Sequence, residues 1–381
     1  MFAAAGIILI SILCVSHLYL KSSAPRSFTS VISAVIAVIA ALGYYEIASN
    51  ILISRSYGGQ WVQPVIFAGI FIAVLAATKV LADFVLPQNV DFGQLPAHLT
   101  AVVCGIIAGI IISGALFIAV ALCPLDLKWP YARFEDNNIN ISSPKRSLLN
   151  SDGIVAGLFG WISRGSLSSG KSFAVYHANF IDQLHLNRHK AKEGVYMIAA
   201  AEAVVLPEKN AVRIFDVDRR SYTFVRMGLR AGEIDRGGAM DKQGSISFTP
   251  SQVRLLCKPK DQAGEMSGTA HPVYPEGRLL DDELVELQLS ETISISRGEF
   301  ETFSRYGRVG WVDLAFSVPA DMTPILLEFK QNTVVSLPKP VMGDAEIEAF
   351  SGTEEDESEQ AEYYDQYEEE AEEDRRGRRE R

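Results

Sequence analysis

The sequence predicts an α-helical membrane bundle of four spans, followed by a mainly-β soluble domain folded as a β-sandwich and then a disordered acidic tail. Three observations carry that prediction. Four long apolar runs fill the first 123 residues, and beyond about residue 195 apolar residues recur with a period of two. Residues 344–381 hold 17 Asp/Glu against 5 Arg. The implied boundaries are 1–125 for the membrane part, 126–194 for a linker with short amphipathic helices, 195–343 for the β-rich domain and 344–381 for the tail.

The chain has 381 residues, is 48% hydrophobic and carries a formal net charge of −11. The tail alone contributes −12, which leaves about +1 for residues 1–343. The acidic balance therefore describes the tail and says nothing of a catalytic pocket. A basic nucleic-acid-binding domain is excluded by the same arithmetic.

The apolar runs are Phe2–Leu20, Phe28–Ile53, Trp61–Leu86 and His98–Cys123. A helix needs ~20 apolar residues to cross ~30 Å of hydrocarbon, and within lipid each segment must bond its own backbone, so these runs are expected to be helical. Pro25, Gly58-Gly59, and Pro87 with Pro96 separate them. No basic residue precedes Lys21, and Pro25 follows the small residues Ser22-Ser23-Ala24. The first run is thus expected to stay as a span and not be cleaved as a signal peptide. Lys21 and Arg26 in the first loop, against Arg55 alone in the second, put the N-terminus and the C-terminal domain outside the cytoplasm.

Charges at membrane depth are costly, which singles out Glu46, Lys79 and Asp83. Lys79 and Asp83 are spaced i,i+4 and can pair on one helix face near the headgroups. That reading is favoured over an intramembrane proton or ion path. Gly105-x-x-x-Gly109, with Gly114 a little further on, gives the fourth span a face that another helix can approach closely. Packing within the chain is favoured over dimerisation, though a homo-oligomer stays open.

Four short-looped spans, a basic first loop and a Gly-rich fourth span together resemble the colicin V production protein (CvpA) family over residues 1 to about 125. That resemblance implies an integral inner-membrane protein linked to toxin production or secretion and to envelope physiology. It implies no catalytic residue.

After the spans, Pro124–Asp152 is rich in Asn, Ser, Pro and charge and reads as a linker, with Trp129 and Tyr131 suited to the interface. Ile154–Ile162 and Phe180–Lys192 are short amphipathic helix candidates. Gly165-Ser-Leu-Ser-Ser-Gly170-Lys171-Ser172 matches a phosphate-binding loop formally. Such a loop needs a buried strand before it, which Gly157–Arg164 does not supply, so a Ser/Gly turn is the favoured reading. His177, His185 and His189 lie near Asp182. His185 and His189 could share a metal from one helix face, but the basic neighbours Arg188, Lys190 and Lys192 favour a solvated face.

Period-two segments include Val285–Leu289, Val312–Val318 and Ile325–Phe329, with further candidates at Val195–Leu206, Ala211–Phe215, Tyr222–Met227, Ser245–Phe248 and Val253–Cys257. They read as half-buried antiparallel strands, polar residues outward, with 258–283 a long polar loop. The stretch Val318-Pro-Ala-Asp-Met-Thr-Pro-Ile-Leu-Leu-Glu-Phe-Lys330 resembles the last strands of bacterial extracytoplasmic immunoglobulin-like domains. Cys14, Cys104 and Cys123 sit in apolar stretches, Cys257 stands alone beyond them, and no Cys-x-x-Cys occurs. The tail has too few apolar residues to offset its ordering entropy.

The expectation is a non-enzymatic membrane scaffold without cofactor, acting with the lipid bilayer and an envelope protein partner. The alternative is a subunit of a small-solute or ion transport system using Glu46, Lys79 and Asp83. A nucleotide-dependent enzyme built on Lys171 ranks third.

Overall fold

Each apolar run becomes one helix: α1 (Phe2–Lys21), α2 (Ala24–Ile53), α3 (Val62–Val85) and α4 (Gln94–Ala121). All four are long and apolar enough to cross a membrane. The computed structural model describes residues 2–21, 24–85, 93–135, 139–165, 172–217, 220–280, 283–303 and 305–342. The acidic tail, Gly170 and Lys171 therefore lie outside the described residues.

Small residues decide which faces meet. On α2 the buried positions Ser27, Ser30, Ala34, Ala37, Val38, Ala41, Leu42 and Tyr45 follow helical spacing and form one stripe. A Cβ on Gly105 would fall 2.7 Å from the Val15 Cα, and one on Gly109 2.6 Å from the Ser11 Cα. Only hydrogen fits there, so the two glycines let α4 approach α1 backbone to backbone. The pairing of 105 with 15 and 109 with 11 makes these helices antiparallel. Residue 2 therefore lies at the same end of the bundle as residue 121.

That end also carries the turn between α2 and α3. Gly58 adopts the left-handed φ of 83° there, a conformation without steric cost only for glycine. Residues 195–200, expected as a strand, instead form an irregular apolar segment over this turn. Met197, Ile198 and Ala200 pack with Ile53 and Val62, and of the expected strand only Val204–Val205 pairs.

Between bundle and sheets lie α5 (Ser151–Arg164), α6 (Phe173–Tyr176) and α7 (Phe180–Asn187). Val155, Ala156 and Phe159 of α5, and Phe180, Ile181 and Leu184 of α7, join Ala37, Val38, Ala41, Ile111, Ala115 and Ile118 in one apolar cluster. The stretch between spans and strands thus shares the interior of the bundle. All eight residues of α7 are buried.

The strands are β1 (Val204–Val205), β2 (Val212–Val217), β3 (Arg220–Arg230), β4 (Ile246–Phe248), β5 (Val253–Pro259), β6 (His271–Val273), β7 (Pro275–Leu280), β8 (Glu283–Glu286), β9 (Ile293–Ile295), β10 (Glu301–Phe303), β11 (Gly307–Phe316), β12 (Met322–Phe329), β13 (Thr333–Ser336) and β14 (Val341–Met342). A short α8 (Ala231–Arg236) follows β3. The largest sheet runs β14-β2-β3-β11-β7-β8, with β1 beside β3 and β10 beside β11. A second sheet runs β13-β12-β5-β6, and β4 pairs with β9. One cluster draws on all three sheets, including Met227, Leu229, Phe248, Leu255, Ile295, Leu314, Phe316, Leu327 and Phe329. The region is mainly β, as its period-two pattern requires.

Two further expectations are corrected. The span 258–283 is not all loop, since it holds β6 and β7. Pro272 masks β6, which is an edge strand where a missing donor costs little. Pro275 opens β7 beside a register shift against β11. In β12 the pairing with β5 slips between Pro324 and Leu326. Ile325 therefore leaves the core face and packs with Leu256, Leu326 and Val175.

Candidate functional site

The second sheet has two buried faces. Val253, Leu255 and Cys257 of β5 and Leu327 and Phe329 of β12 face the β core. The opposite parity sends Arg254 and Glu328, register partners across the two strands, toward α6 and α7. Alternation alone predicts that Glu328 meets water, yet it is 2% exposed and Arg254 likewise 2%. The reason is long-range: a segment more than 140 positions upstream covers this face, as the Gln183–Glu328 contact shows.

These charges belong to a hydrogen-bonded chain that ends on α2. Arg254 donates from Nε to Glu328 Oε2 at 2.8 Å, and its Nη2 lies 2.7 Å from the same oxygen. Arg254 Nη1 also donates to the Ala178 carbonyl at 2.6 Å. Gln183 Nε2 donates to Glu328 Oε1 at 2.5 Å. That fixes the Gln183 amide so that its Oε1 faces His177 Nδ1, 3.2 Å away. His177 Nε2 lies 3.1 Å from Glu46 Oε1.

His177 therefore stands between two acceptors, and satisfying both requires a proton on each ring nitrogen. Burial pushes its pKa down, but the Glu46 carboxylate and then Glu328 more than offset this, and the net shift is upward. Burial pushes the Glu328 carboxyl up, and although Arg254 pulls it back the net shift is upward. Both Glu328 oxygens accept hydrogen bonds, as a carboxylate's do. The hydrogen-bond geometry thus sets two cations and two anions in alternation, with His177, Glu328 and Arg254 buried, where an unpaired charge is most costly, and Glu46 partly exposed.

A second thread reaches the same helix. Gln331 Nε2 donates to Tyr45 Oη at 3.2 Å, and Tyr45 Oη donates to Glu46 Oε1 at 2.9 Å. Asn332 Nδ2 lies 3.3 Å from Asn50 Oδ1. Lys330 and Gln331, in the turn from β12 to β13, hold positive φ of 49° and 65°. Non-glycine residues take this region only at a cost, and here it aims the turn at α2. Lys330, fully buried, donates to the Tyr196 carbonyl at 2.6 Å, and burial lowers its pKa to about 7.

A neighbouring cluster fixes α5 to α7. Arg133 Nε meets Asp182 Oδ1 at 2.5 Å, Tyr131 Oη donates to Asp152 Oδ2 at 2.5 Å, and Ser147 Oγ donates to Asp152 Oδ1 at 2.6 Å. His185 Nδ1 lies 3.0 Å from Arg188 Nη2. Burial first, then Arg188 and Arg133, hold the His185 pKa well below its ordinary value, so this ring is neutral and accepts from Arg188.

The expectation of a solvated histidine face is corrected by these positions: His177, His185 and His189 are 7%, 0% and 3% exposed. The basic residues beside them gave the opposite impression, but Arg188 is itself buried. Among the described residues no three His, Cys, Asp or Glu side chains converge to hold a metal.

Lys79 and Asp83 do not reach Glu46, and each contacts α2 across the bundle. Lys79 Nζ donates to Ser30 Oγ at 2.9 Å, and Asp83 lies 3.8 Å from Arg26. Gly114 is covered by the Ser151 carbonyl of α5. Gly165 closes α5, and Ser172 precedes α6 with its hydroxyl donating to the Ser163 carbonyl at 3.2 Å. The element before this loop is therefore a helix, whereas a phosphate loop follows a strand.

Sequence reasoning missed Arg254, Glu328, Gln183 and Gln331. The available signal was two opposite charges set in otherwise apolar strands, Val253-Arg-Leu-Leu-Cys257 and Ile325-Leu-Leu-Glu-Phe329. Comparison with protein-family models, with curated proteins and with solved structures found no match. The class that the coordinates themselves define is a four-helix apolar bundle joined through a buried charged junction to a mainly-β region.

Proposed function

We propose that the chain is a non-enzymatic integral protein of a bacterial inner membrane, of the colicin V production type, acting as an envelope or secretion-associated scaffold. Its N-terminus and β region lie together on the extracytoplasmic side, and the β region is a sandwich that engages an envelope protein. The observation that carries this reading is the junction from Glu46 through His177, Gln183 and Glu328 to Arg254. A tethered domain needs no such bridge, whereas a scaffold that fixes a docking module over the bilayer does. The outer faces of the helices support membrane residence, with Leu13 59%, Ile32 56%, Ile72 60% and Val80 70% exposed. Exposed apolar side chains along all four helices suit acyl chains better than water.

The placement of the intramembrane charges favours this reading over the transport alternative. Glu46 lies at the end of the bundle that carries the β region, and Lys79 and Asp83 at the other. Between them α2 presents Ala34, Ala37, Val38, Ala41 and Leu42 to Phe67, Phe71, Ile111 and Ala115.

The test uses the full chain. In intact cells, photocrosslinkers at the exposed Leu280 and Val285 of the β7–β8 hairpin should trap one envelope protein in fixed ratio. Proteoliposomes should show solute and ion flux no higher than empty vesicles. Flux abolished by Glu46→Gln, with nothing trapped in cells, would overturn the proposal.

A further inference from the structure

We infer that α5 is an in-plane helix, seated on the bilayer surface with Ile154, Leu158, Trp161 and Ile162 at the boundary between headgroups and acyl chains. The inference rests on the spanning role proposed for α1 to α4 and adds a fifth membrane-contacting element to it.

Three features of α5 converge. The first is its level. Phe159 lies 3.7 Å from the position of a Cβ on Gly43, and Ser151 and Val155 cover Gly114. Gly43 is the twentieth residue of α2 from Ala24, and Gly114 the twenty-first of α4 from Gln94. At 1.5 Å per residue both stand about 30 Å from the far end of the bundle, the thickness of the hydrocarbon core. The second is its direction. The start of α5 touches α4 and its later turns touch α2 at that same level, so the helix runs across the spans and not along them.

The third is the chemistry of its faces. Val155, Ala156 and Phe159 are buried against the bundle. Ile154 and Trp161, spaced i,i+7, are 46% and 67% exposed, and Leu158 and Ile162 flank them half-buried. The opposite flank, Gly153, Gly157, Gly160 and Arg164, lines a cleft of about 600 Å³ shared with α6, α7 and Thr269–Ala270 of the β region. One side of α5 thus looks toward the β region. Ile154 and Trp161 lie on neither the bundle face nor the cleft face and turn outward from the bundle.

The preceding turn extends the same surface. Leu148 and Leu149 are 41% and 60% exposed, and Leu149 holds a left-handed φ of 56°. Exposed leucines and a tryptophan at this level continue the apolar outer surface of the bundle. Arg146 and Arg164 lie on the cleft side, where they meet water and headgroup phosphates. This distribution is that of a helix sunk 5–10 Å into an interface.

The test is nitroxide accessibility in the full chain, its four native cysteines replaced, reconstituted into vesicles of phosphatidylethanolamine and phosphatidylglycerol. Labels go at Trp161→Cys, at Ile72→Cys on the outer face of α3, and at Gln262→Cys on the β region. Oxygen partitions into hydrocarbon and a nickel chelate stays in water. The oxygen-to-nickel ratio at Trp161→Cys should exceed that at Gln262→Cys and approach that at Ile72→Cys, as burial at interfacial depth requires. A ratio equal to that at Gln262→Cys, with Ile72→Cys in lipid, overturns the placement of α5 and leaves the spans standing. Shielding from both reagents indicates a protein occupant and also overturns it. Water exposure at Ile72→Cys overturns the spanning role itself. Should the cysteine-free chain not fold, brominated lipids should quench Trp161 fluorescence in the chain carrying Trp61→Phe, Trp129→Phe and Trp311→Phe, and unquenched emission overturns the inference.

Discussion

Replacing Glu46 by Gln isolates one charge in the junction without changing its shape. His177 is 7% exposed, and its Nε2 stands 3.1 Å from the carboxylate. The variant leaves the imidazolium with Gln183 as its remaining acceptor, so the ring neutralises. A charge-assisted hydrogen bond in such surroundings contributes about 1.5–3 kcal/mol. The Glu46 side chain is 28% exposed, which sets the expected loss at the lower end, about 1.5 kcal/mol. The sign with pH follows from the direction of the shift. The folded pKa of His177 is raised, so its stabilisation is complete below the unfolded value of about 6.5 and disappears as pH climbs through the folded value. The deficit of Glu46→Gln should therefore be largest near pH 6 and shrink in alkali. Native-state hydrogen exchange of full-length protein in lipid nanodiscs, read at the amides of α7 and β12 and corrected for intrinsic rates, gives these opening free energies. A deficit that is constant with pH, or that grows as pH rises, would refute the assignment of His177 as the doubly protonated link.

Three further outcomes rest on the helix seam and the buried β side chains. Gly109→Ala forces a Cβ against the α1 backbone and should cost about 1–3 kcal/mol, whereas Gly157→Ala, where a Cβ meets nothing within 4 Å, should gain about 0.5–1 kcal/mol from helix propensity; thermal retention of the bundle in detergent compares the two. Lys330, with its pKa lowered to about 7, is neutral in the fold and charged when unfolded between there and about 10.4. Stability should rise with pH across that window, and Lys330→Met should remove this part of the slope in urea titrations of the full chain. Cys257 is fully buried with its thiol pushed up to about 12, so maleimide should leave it unmodified in the native protein and label it at the rate at which β5 opens.

What the sequence reveals is whatever a local pattern can encode. The four helices were legible because a run of apolar residues long enough for lipid has few other solutions, and β11 because Leu314 and Phe316 keep strict alternation. The junction was not legible, because its members come from four separated stretches and each looks ordinary alone. Glu328 alternates with Leu327 and Phe329 like any outward-facing residue, and nothing nearby announces that α7 covers it. Arg188, Lys258 and Lys330 are fully buried although their type places them in water by default. Carbonyl groups of distant segments receive two of them, Leu127 for Arg188 and Tyr196 for Lys330, and the nearby Glu265 and Ser267 carbonyls receive Lys258. Gly105 and Gly109 were visible as a packing face, but only coordinates identify Val15 and Ser11 as what they meet.

The glycine seam between the first and last helices has a bearing on biogenesis. A ribosome delivers α1 long before α4, while α2 and α3 emerge consecutively and can close as a hairpin through Tyr45 and Phe67, whose rings meet edge to face at 5.6 Å. In the spanning arrangement proposed above, the leading helix therefore waits in the bilayer without its mate until α4 has been translated. During that interval Ser11 lacks the close backbone cover that Gly109 gives it in the finished bundle.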